Sequence, residues 1–213
     1  MGYKAVIFDL DNTLIEVPPE FVNTLLKQTL SEFNLNHSSE YAGRFWIGPN
    51  RNQVIEDHFK LNPDLFWKVY KRYDTIELRR RFAKPYDDIS FLSELRKKKY
   101  KTGIVTVSPK HITDFEISLL NQELDAIIIA RDDNGLKFKP SPDGLEECLR
   151  VLEVDNQEAL YVGDSDEDLV MARTARVPFA LLVRKDELEQ HRHLKEIPSL
   201  MIGNLYTLRK IIY

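Results

Sequence analysis

The chain has 213 residues, 43% of them hydrophobic and 30% charged, the proportions of an ordinary globular domain. That length suits one sizeable domain, or one domain carrying a smaller insertion. A formal charge of −4 gives no electrostatic case for nucleic acid, no window reaches the roughly 18 uninterrupted apolar residues of a membrane span, and the single cysteine excludes an internal disulfide. In chain order the first predicted element is the apolar run Ala5-Val6-Ile7-Phe8, which ends in Asp9, Leu10, Asp11, Asn12 and Thr13. Short apolar runs bounded by turn signals read as buried strands, so Asp9 is expected at a strand's C-terminal end. In an open α/β sheet that edge binds ligands. Alternation turns Leu10 away and returns Asp11 to Asp9's side. Two carboxylates so close ionise together only beside a cation, or with one protonated. Alone, the segment also reads as a strand followed by an Asx-type turn. Because the first strand starts so early, no signal peptide is expected, and with one cysteine the expected compartment is the cytoplasm.

Residues 17–84 show no β-like run and read as several helices. Phe21, Leu25, Leu26 and Leu30 form one apolar face, and Leu65, Phe66, Val69, Tyr70 and Tyr73 another, with Pro18-Pro19, Gly48-Pro49 and Pro63 as punctuation. Inserted directly after the first carboxylates, this stretch looks like a cap over a sheet edge. Arg79-Arg80-Arg81 reads as a solvated helix face. Beyond it, strands are predicted at Thr102–Ser108, Leu124–Ala130, Ala159–Asp164 and Pro178–Val183. Helices are predicted at about 87–99, 109–121 and 141–153, and again through Leu169, Met171, Ala172 and Ala175. Strands alternating with helices predict a doubly wound parallel α/β sheet, Rossmann-like, from residues 1–16 and 85–213, with 17–84 as an α-helical cap. Lys97, Lys98 and Lys99 read as a solvated C-terminal helix turn. Cys148 falls on the apolar stripe of one helix and reads as a buried structural thiol. His191 and His193 have no acidic ligand pattern nearby, so zinc is not expected.

Four motifs in order carry a resemblance. Asp9-Leu-Asp-Asn-Thr13 resembles the first motif of the haloacid dehalogenase-like (HAD) superfamily, whose members are mostly phosphatases. Thr106 matches the second motif, Lys139 in Lys139-Pro-Ser-Pro142 the third, and Gly163-Asp-Ser-Asp-Glu-Asp168 the fourth. The helical insertion sits where the subclass I caps of the family sit, and the phosphoglycolate phosphatase-like branch is the most similar. The resemblance implies that Asp9 is the nucleophile, forming an aspartyl phosphate, and that Asp11 is the general acid and then base. It implies Mg²⁺ held by Asp9, the main-chain carbonyl of Asp11, and Asp164, with Asp168, one helical turn on, as an outer-shell partner or occasional ligand. Thr106 and Lys139 would meet the transferring phosphoryl oxygens. Lys137 competes with Lys139, but only Lys139 precedes the Pro-x-Pro pattern. Asp166 reads as the cap of the following helix, which leaves Asp164 for metal.

The sequence departs from the family pattern at three positions. Asn12 stands where glycine is common, and Asn tolerates left-handed geometry better than other non-glycine residues. Val107 stands where asparagine is frequent, and Arg176 where glycine is expected to end the last motif's helix. In the cap, Arg44 and Arg51 could pair with a second anionic group on the substrate, since guanidinium meets carboxylate and phosphate bidentately. Trp46 and Trp67 read as cap core. The function expected is Mg²⁺-dependent hydrolysis of a small phosphate monoester, phosphoglycolate-like or a sugar phosphate, by a monomer or homodimer. A β-phosphoglucomutase-type phosphomutase carries the same first motif and is the alternative. A dehalogenase is disfavoured because that branch lacks the second carboxylate, and a non-catalytic HAD-like binding module is disfavoured by retention of the whole constellation.

Overall fold

Every residue of Ala5–Phe8 (β1) is buried, and the strand is hydrogen-bonded on both sides. A continuous apolar run of this kind belongs at the centre of a parallel sheet covered on both faces. The computed structural model describes residues 2–36, 42, 45, 46, 51–184 and 200–213. Arg44, His191 and His193 lie outside the described residues. The chain divides into two compact units, Met1–Ile15 with Pro85–Tyr213, and Glu16–Lys84. Short strands Ile15–Glu16 (β2) and Lys84–Pro85 (β3) pair as a ribbon at the two crossings. Among the described residues, no helix is long and apolar enough to cross a membrane.

In the larger unit, Lys101–Thr106 (β4), Ala126–Ile129 (β5), Ala159–Gly163 (β6), Phe179–Leu182 (β7) and Met201–Ile202 (β8) join β1 in a six-stranded parallel sheet of order β5-β4-β1-β6-β7-β8. The chain runs outward from β1 through β4 to β5, then returns to the other side of β1 for β6. That reversal is the topological switch point, where a crevice opens beyond the strands' carboxyl ends. The fold is thus α/β and doubly wound, with a helical insertion. The apolar runs foresee β1, β4, β5, β6 and β7. They do not foresee β8, whose two residues, one of them 45% exposed, offer too little alternation to register.

Helices Asp143–Leu152 and Asp166–Thr174 build one core with strand residues Ala5, Ile7, Val105 and Tyr161. A Cβ at Gly103 would lie 2.6 Å from the Cys148 sulfur, so only glycine lets that helix approach β4 so closely. Cys148 is fully buried, and burial pushes its thiol up to about 12, consistent with a packing role. Beyond β7, Arg184 donates to Asp88 at 2.6 Å and to the Thr13 carbonyl at 2.8 Å. The same Asp88 oxygen accepts from the Leu205 amide at 2.7 Å. One buried ion pair therefore ties the loop after β1 to the chain's last segment.

In the smaller unit, helices Pro19–Ser31, Pro63–Tyr73 and Ile76–Phe82 gather around Phe21, Phe45, Phe66 and Tyr70, all buried. Asn62 and Thr75 cap two of these helices by accepting from the Leu65 and Leu78 amides. Two expectations fail here. Leu65 is 58% exposed rather than on the apolar face. Arg79 is 2% exposed rather than solvated: it makes a two-pronged pair with Asp74, at 2.8 and 3.0 Å, and its guanidinium lies 4.7 Å from the Phe21 ring centre. A planar, weakly hydrated cation suits a two-pronged carboxylate pair and an aromatic face together. Arg80 and Arg81 are exposed, as expected. Trp46 is buried, and Trp67 is partly buried with its Nε1 donating to Asn52 at 2.7 Å.

Two departures from glycine take the conformation that glycine would supply. Asn12 has φ of 58° and Arg176 has φ of 57°. Arg176 is exposed at the end of helix Asp166–Thr174. The left-handed conformation costs an L-residue about 1–2 kcal/mol, part of which glycine gives back through its freer unfolded chain. Arg176→Gly is therefore expected to stabilise the protein by about 0.5–1 kcal/mol, a rise of roughly 1–4 °C in Tm. Thermal melting of the two proteins checks this, and a lower Tm in the variant would contradict it.

Candidate active site

Asp9 directly follows β1, its amide donating to the Val162 carbonyl of β6 at 2.9 Å. Phe8 pairs with Val162 in the sheet register, so Asp164, just past β6, emerges at the same end of the sheet. Asp168 arrives from the first turn of the helix that begins two residues later. There Ser165 accepts from the Asp168 amide at 3.2 Å and Asp168 returns a bond to the Ser165 amide, also at 3.2 Å. The cap of this helix is thus Ser165 and not Asp166, because Ser165 has the extended backbone and the hydroxyl that the position needs. A Cβ at Gly163 would meet the Asp168 carboxyl carbon at 2.5 Å, so the glycine clears the space that this carboxylate fills. Oxygens of Asp9, Asp164 and Asp168 lie within 4.8 Å of one another, and all three residues are buried.

Lys139 enters this cluster from the loop before helix Asp143–Leu152, and its side chain is 3% exposed. Its ammonium pairs with Oδ1 of Asp9 and lies 2.8 Å from Asp168 Oδ1 and 2.9 Å from the Tyr161 hydroxyl. An ammonium has three hydrogens, and three acceptors are present. Tyr161 in turn donates to Asp168 Oδ1 at 2.7 Å. Burial works against the Lys139 charge, but Asp168 and Asp9 outweigh it and hold the ammonium above the usual lysine range. Burial likewise opposes the Asp168 charge, yet Lys139 and the Ser165 hydroxyl hold this carboxyl below its ordinary value. Asp9 bears the remaining imbalance. Burial, reinforced by the Asp168 charge and only partly offset by Lys139, pushes its carboxyl up to about 7. Three carboxylates of hard oxygen opposed by one ammonium form a set that could bind a divalent cation.

Asp11 stands on a separate connection. The loop closes on itself through Asn12 N–H donating to the Ile15 carbonyl at 2.6 Å and an isolated bridge between Asp11 and Ile15. Ser108 donates its hydroxyl to Asp11 Oδ2 at 2.7 Å, and the Ser108 amide donates to Thr106 Oγ1 at 3.1 Å. The structure thus gathers Asp9, Asp164, Asp168 and Lys139 into one cluster, and links Asp11 and Thr106 through Ser108. Arg51 belongs to the helical unit, where it donates to the Trp46 carbonyl at 3.1 Å and lies 5.4 Å from that ring's centre. Arg44 is outside the described residues. Tyr161, Ser165 and Ser108 were not singled out from the sequence. Tyr161 has a visible signal, a phenol in an otherwise apolar strand, since a buried hydroxyl needs a partner, and Ser165 has another in the Ser-x-x-Asp spacing of a capping box.

The model of the haloacid dehalogenase-like hydrolase family matches residues 6–182. Pyrophosphatase PpaX of Bacillus cereus (strain B4264) is 26% identical over 189 residues, covering 82% of this chain and 81% of that protein. Among solved structures, a protein of Lactobacillus plantarum provisionally assigned as a phosphoglycolate phosphatase superposes with a TM-score of 0.82 at 21% identity, covering 99% and 100% of the two chains, and so shares the fold. A HAD phosphatase from Thermococcus onnurineus gives 0.67 at 26% identity, covering 98% and 97%. The chain belongs to the haloacid dehalogenase-like hydrolases and is an enzyme of that family.

The surplus negative charge has a measurable consequence. The ordinary value for an Asp carboxyl is 3.8, and folding raises that of Asp9 to about 7. Between these values the folded protein keeps a proton that the unfolded chain releases. The stability this proton confers is present in full below the lower value and is lost as pH rises through the higher one. In metal-free buffer Asp9→Asn is expected to flatten that pH dependence and to stabilise the protein at pH 7.5 by about 1–2 kcal/mol, the penalty of the uncompensated charge less the lost Lys139 bond. Denaturant unfolding with chelator between pH 5 and 8 checks this; a variant less stable than wild type at pH 7.5 would contradict it.

Proposed function

We propose that this enzyme is a Mg²⁺-dependent phosphatase that hydrolyses a small organic phosphate monoester, of the phosphoglycolate or sugar phosphate kind, through an aspartyl phosphate on Asp9. The observation that carries the reading is the buried cluster of Asp9, Asp164 and Asp168 on the single ammonium of Lys139, at the carboxyl ends of β1 and β6. Phosphoryl transfer rests on such positioning and charge neutralisation. The donor set fits Mg²⁺, which takes hard oxygens. Asp9, the Asp11 main-chain carbonyl and Asp164 would hold it, with Asp168 behind them. When bound, it supplies positive charge to the phosphoryl oxygens and to the crowded carboxylates.

Lys139 engages Oδ1 of Asp9, which leaves Oδ2 to attack phosphorus. The Asp9 oxygen–phosphorus bond forms as the ester phosphorus–oxygen bond breaks, and Asp11 gives its proton to the leaving oxygen. A water molecule then attacks the same phosphorus while Asp11 takes its proton. The bond to Asp9 breaks, inorganic phosphate leaves and the carboxylate returns. The Thr106 hydroxyl and the Lys139 charge are assigned to the transferring oxygens. The helical unit Glu16–Lys84, inserted in the chain directly after the Asp9–Asp11 loop, is assigned the choice of substrate, and Arg44 and Arg51 are its candidate anion contacts.

A panel of 2-phosphoglycolate, hexose phosphates and pyrophosphate, assayed with and without Mg²⁺, tests the reading. The last belongs in the panel because a relative is named for it. Turnover is expected to need Mg²⁺ and to fall at least about 10⁴-fold in Asp9→Asn, the scale on which loss of a covalent nucleophile is felt. Mg²⁺ is expected to raise the Tm of the wild type and not that of Asp164→Asn. Undiminished activity in Asp9→Asn would end this mechanism, and conversion of one hexose phosphate into its isomer, without free phosphate, would make the enzyme a mutase.

A further inference from the structure

The hydrogen bond between Ser108 and Asp11 joins residues 97 positions apart in the chain. Ser108 is 6% exposed, two residues beyond the end of β4 and two before helix Lys110–Leu120. Both of its main-chain polar groups are committed. Its amide donates to Thr106 Oγ1 at 3.1 Å, and its carbonyl accepts from Thr113 Oγ1, also at 3.1 Å. Thr113 is fully buried and Thr106 1% exposed, so these anchors belong to the fixed part of the fold. With the backbone held on both sides, the Ser108 side chain retains only rotation about χ1, and it points its hydroxyl at Asp11 Oδ2 from 2.7 Å.

We propose that Ser108 is a positioning residue for proton transfer by Asp11, a role that rests on the phosphatase reading above. An ionised carboxylate only accepts, so the Ser108 hydroxyl is the donor to Oδ2 whenever Asp11 is charged. The hydroxyl thus anchors one oxygen of the carboxyl group and restricts its rotation. Proton transfer needs donor and acceptor within hydrogen-bond reach in the right orientation, so a carboxyl free to rotate would spend less time competent. No atom of Ser108 bonds to substrate in this account. Its hydroxyl retains its own hydrogen throughout: the proton moves from the Asp11 carboxyl to the leaving oxygen, and later from water to the Asp11 carboxylate.

The test compares two esters in wild type, Ser108→Ala, Ser108→Thr and Asp11→Asn, all with Mg²⁺. An alkyl phosphate leaves as a strongly basic alkoxide and needs the proton; 4-nitrophenyl phosphate leaves as a stable phenolate and does not. Because kcat/KM reports the first phosphoryl transfer, the alkyl-to-aryl ratio of kcat/KM reads proton delivery apart from general damage. In Ser108→Ala this ratio is expected to fall about tenfold, the worth of one hydrogen bond to a charged group and part of the factor general acid catalysis supplies. Ser108→Thr, which keeps a hydroxyl, is expected to restore it, and Asp11→Asn to lower it further. Should Ser108→Ala melt below the assay temperature, Ser108→Cys, with a weak donor in the same place, is expected to give an intermediate ratio. A wild-type ratio in Ser108→Ala, or in Ser108→Cys where that variant stands in, overturns the proposal, whether or not both rates fall together. Absence of turnover on either ester in the wild type would instead overturn the phosphatase reading, and this inference with it.

Discussion

The rest of the larger unit is arranged around one buried ammonium. Lys139 lies between Asp9 and Asp168, with Tyr161 as third acceptor and Asp164 close by. An ion pair removed from water gains from Coulomb attraction only if its remaining hydrogens and lone pairs are also met, because desolvation of each charge is expensive. Here the ammonium is fully met, and of the two carboxylates it pairs with, Asp9 has the less compensation. Asp168 shares the lysine but has Ser165 and Tyr161 as well, which is why the two carboxyls shift in opposite directions.

Each part of the fold near this point serves the same constraint. Parallel pairing of β1 with β6 brings Asp9 and Asp164 to one edge. The capping bonds of Ser165 turn Asp168 back over the strand, and Gly163 leaves room for it. The close approach of helix Asp143–Leu152 to Gly103 sets the distance from which the preceding loop delivers Lys139. The left-handed turn at Asn12 and the Arg184 bond to the Thr13 carbonyl hold the loop after β1, so that Asp9 and Asp11 leave the sheet together.

Much of this was legible in the sequence, and what was not has a physical reason. The apolar runs at β1, β4 and β6 announce buried parallel strands because both of their faces are covered. The carboxylates that end two of these runs announce the ligand-binding edge. Asn12 at a glycine position could be read as a left-handed residue, since few other side chains tolerate one. Contacts between distant segments left no such mark. Lys139 meets Tyr161 across 22 residues and Ser108 meets Asp11 across 97, whereas the meeting of Lys139 with Asp9 was legible through the order of the four motifs. Serine after a strand is ordinary, so nothing local distinguishes Ser108 from a turn residue, whereas the spacing of Ser165 to Asp168 marks a helix cap. Arg79 shows the same limit in the opposite sense. In a run of three arginines local pattern predicts three solvated charges, and only the positions of Asp74, Phe21 and Trp46 reveal that one of them is interior.

Asp9 and Asp11, two residues apart, are distinguished by surroundings rather than by chemistry. Asp9 is nearly dry and faces an ammonium; Asp11 is partly exposed and faces a neutral hydroxyl. A neighbouring cation lowers the energy of a carboxylate but cannot accept a proton from it, so Lys139 offsets part of the burial that pushes the Asp9 carboxyl up. A hydroxyl donor orients the carboxylate without setting a fixed charge against it, and orientation is what proton transfer requires. In the proposed reaction the nucleophile must stay ionised up to attack, while its neighbour must change state twice in each turnover. Exchanging the two environments would take from Asp9 the cation that partly offsets its burial, and would set a fixed charge beside Asp11 in place of the hydroxyl that orients it.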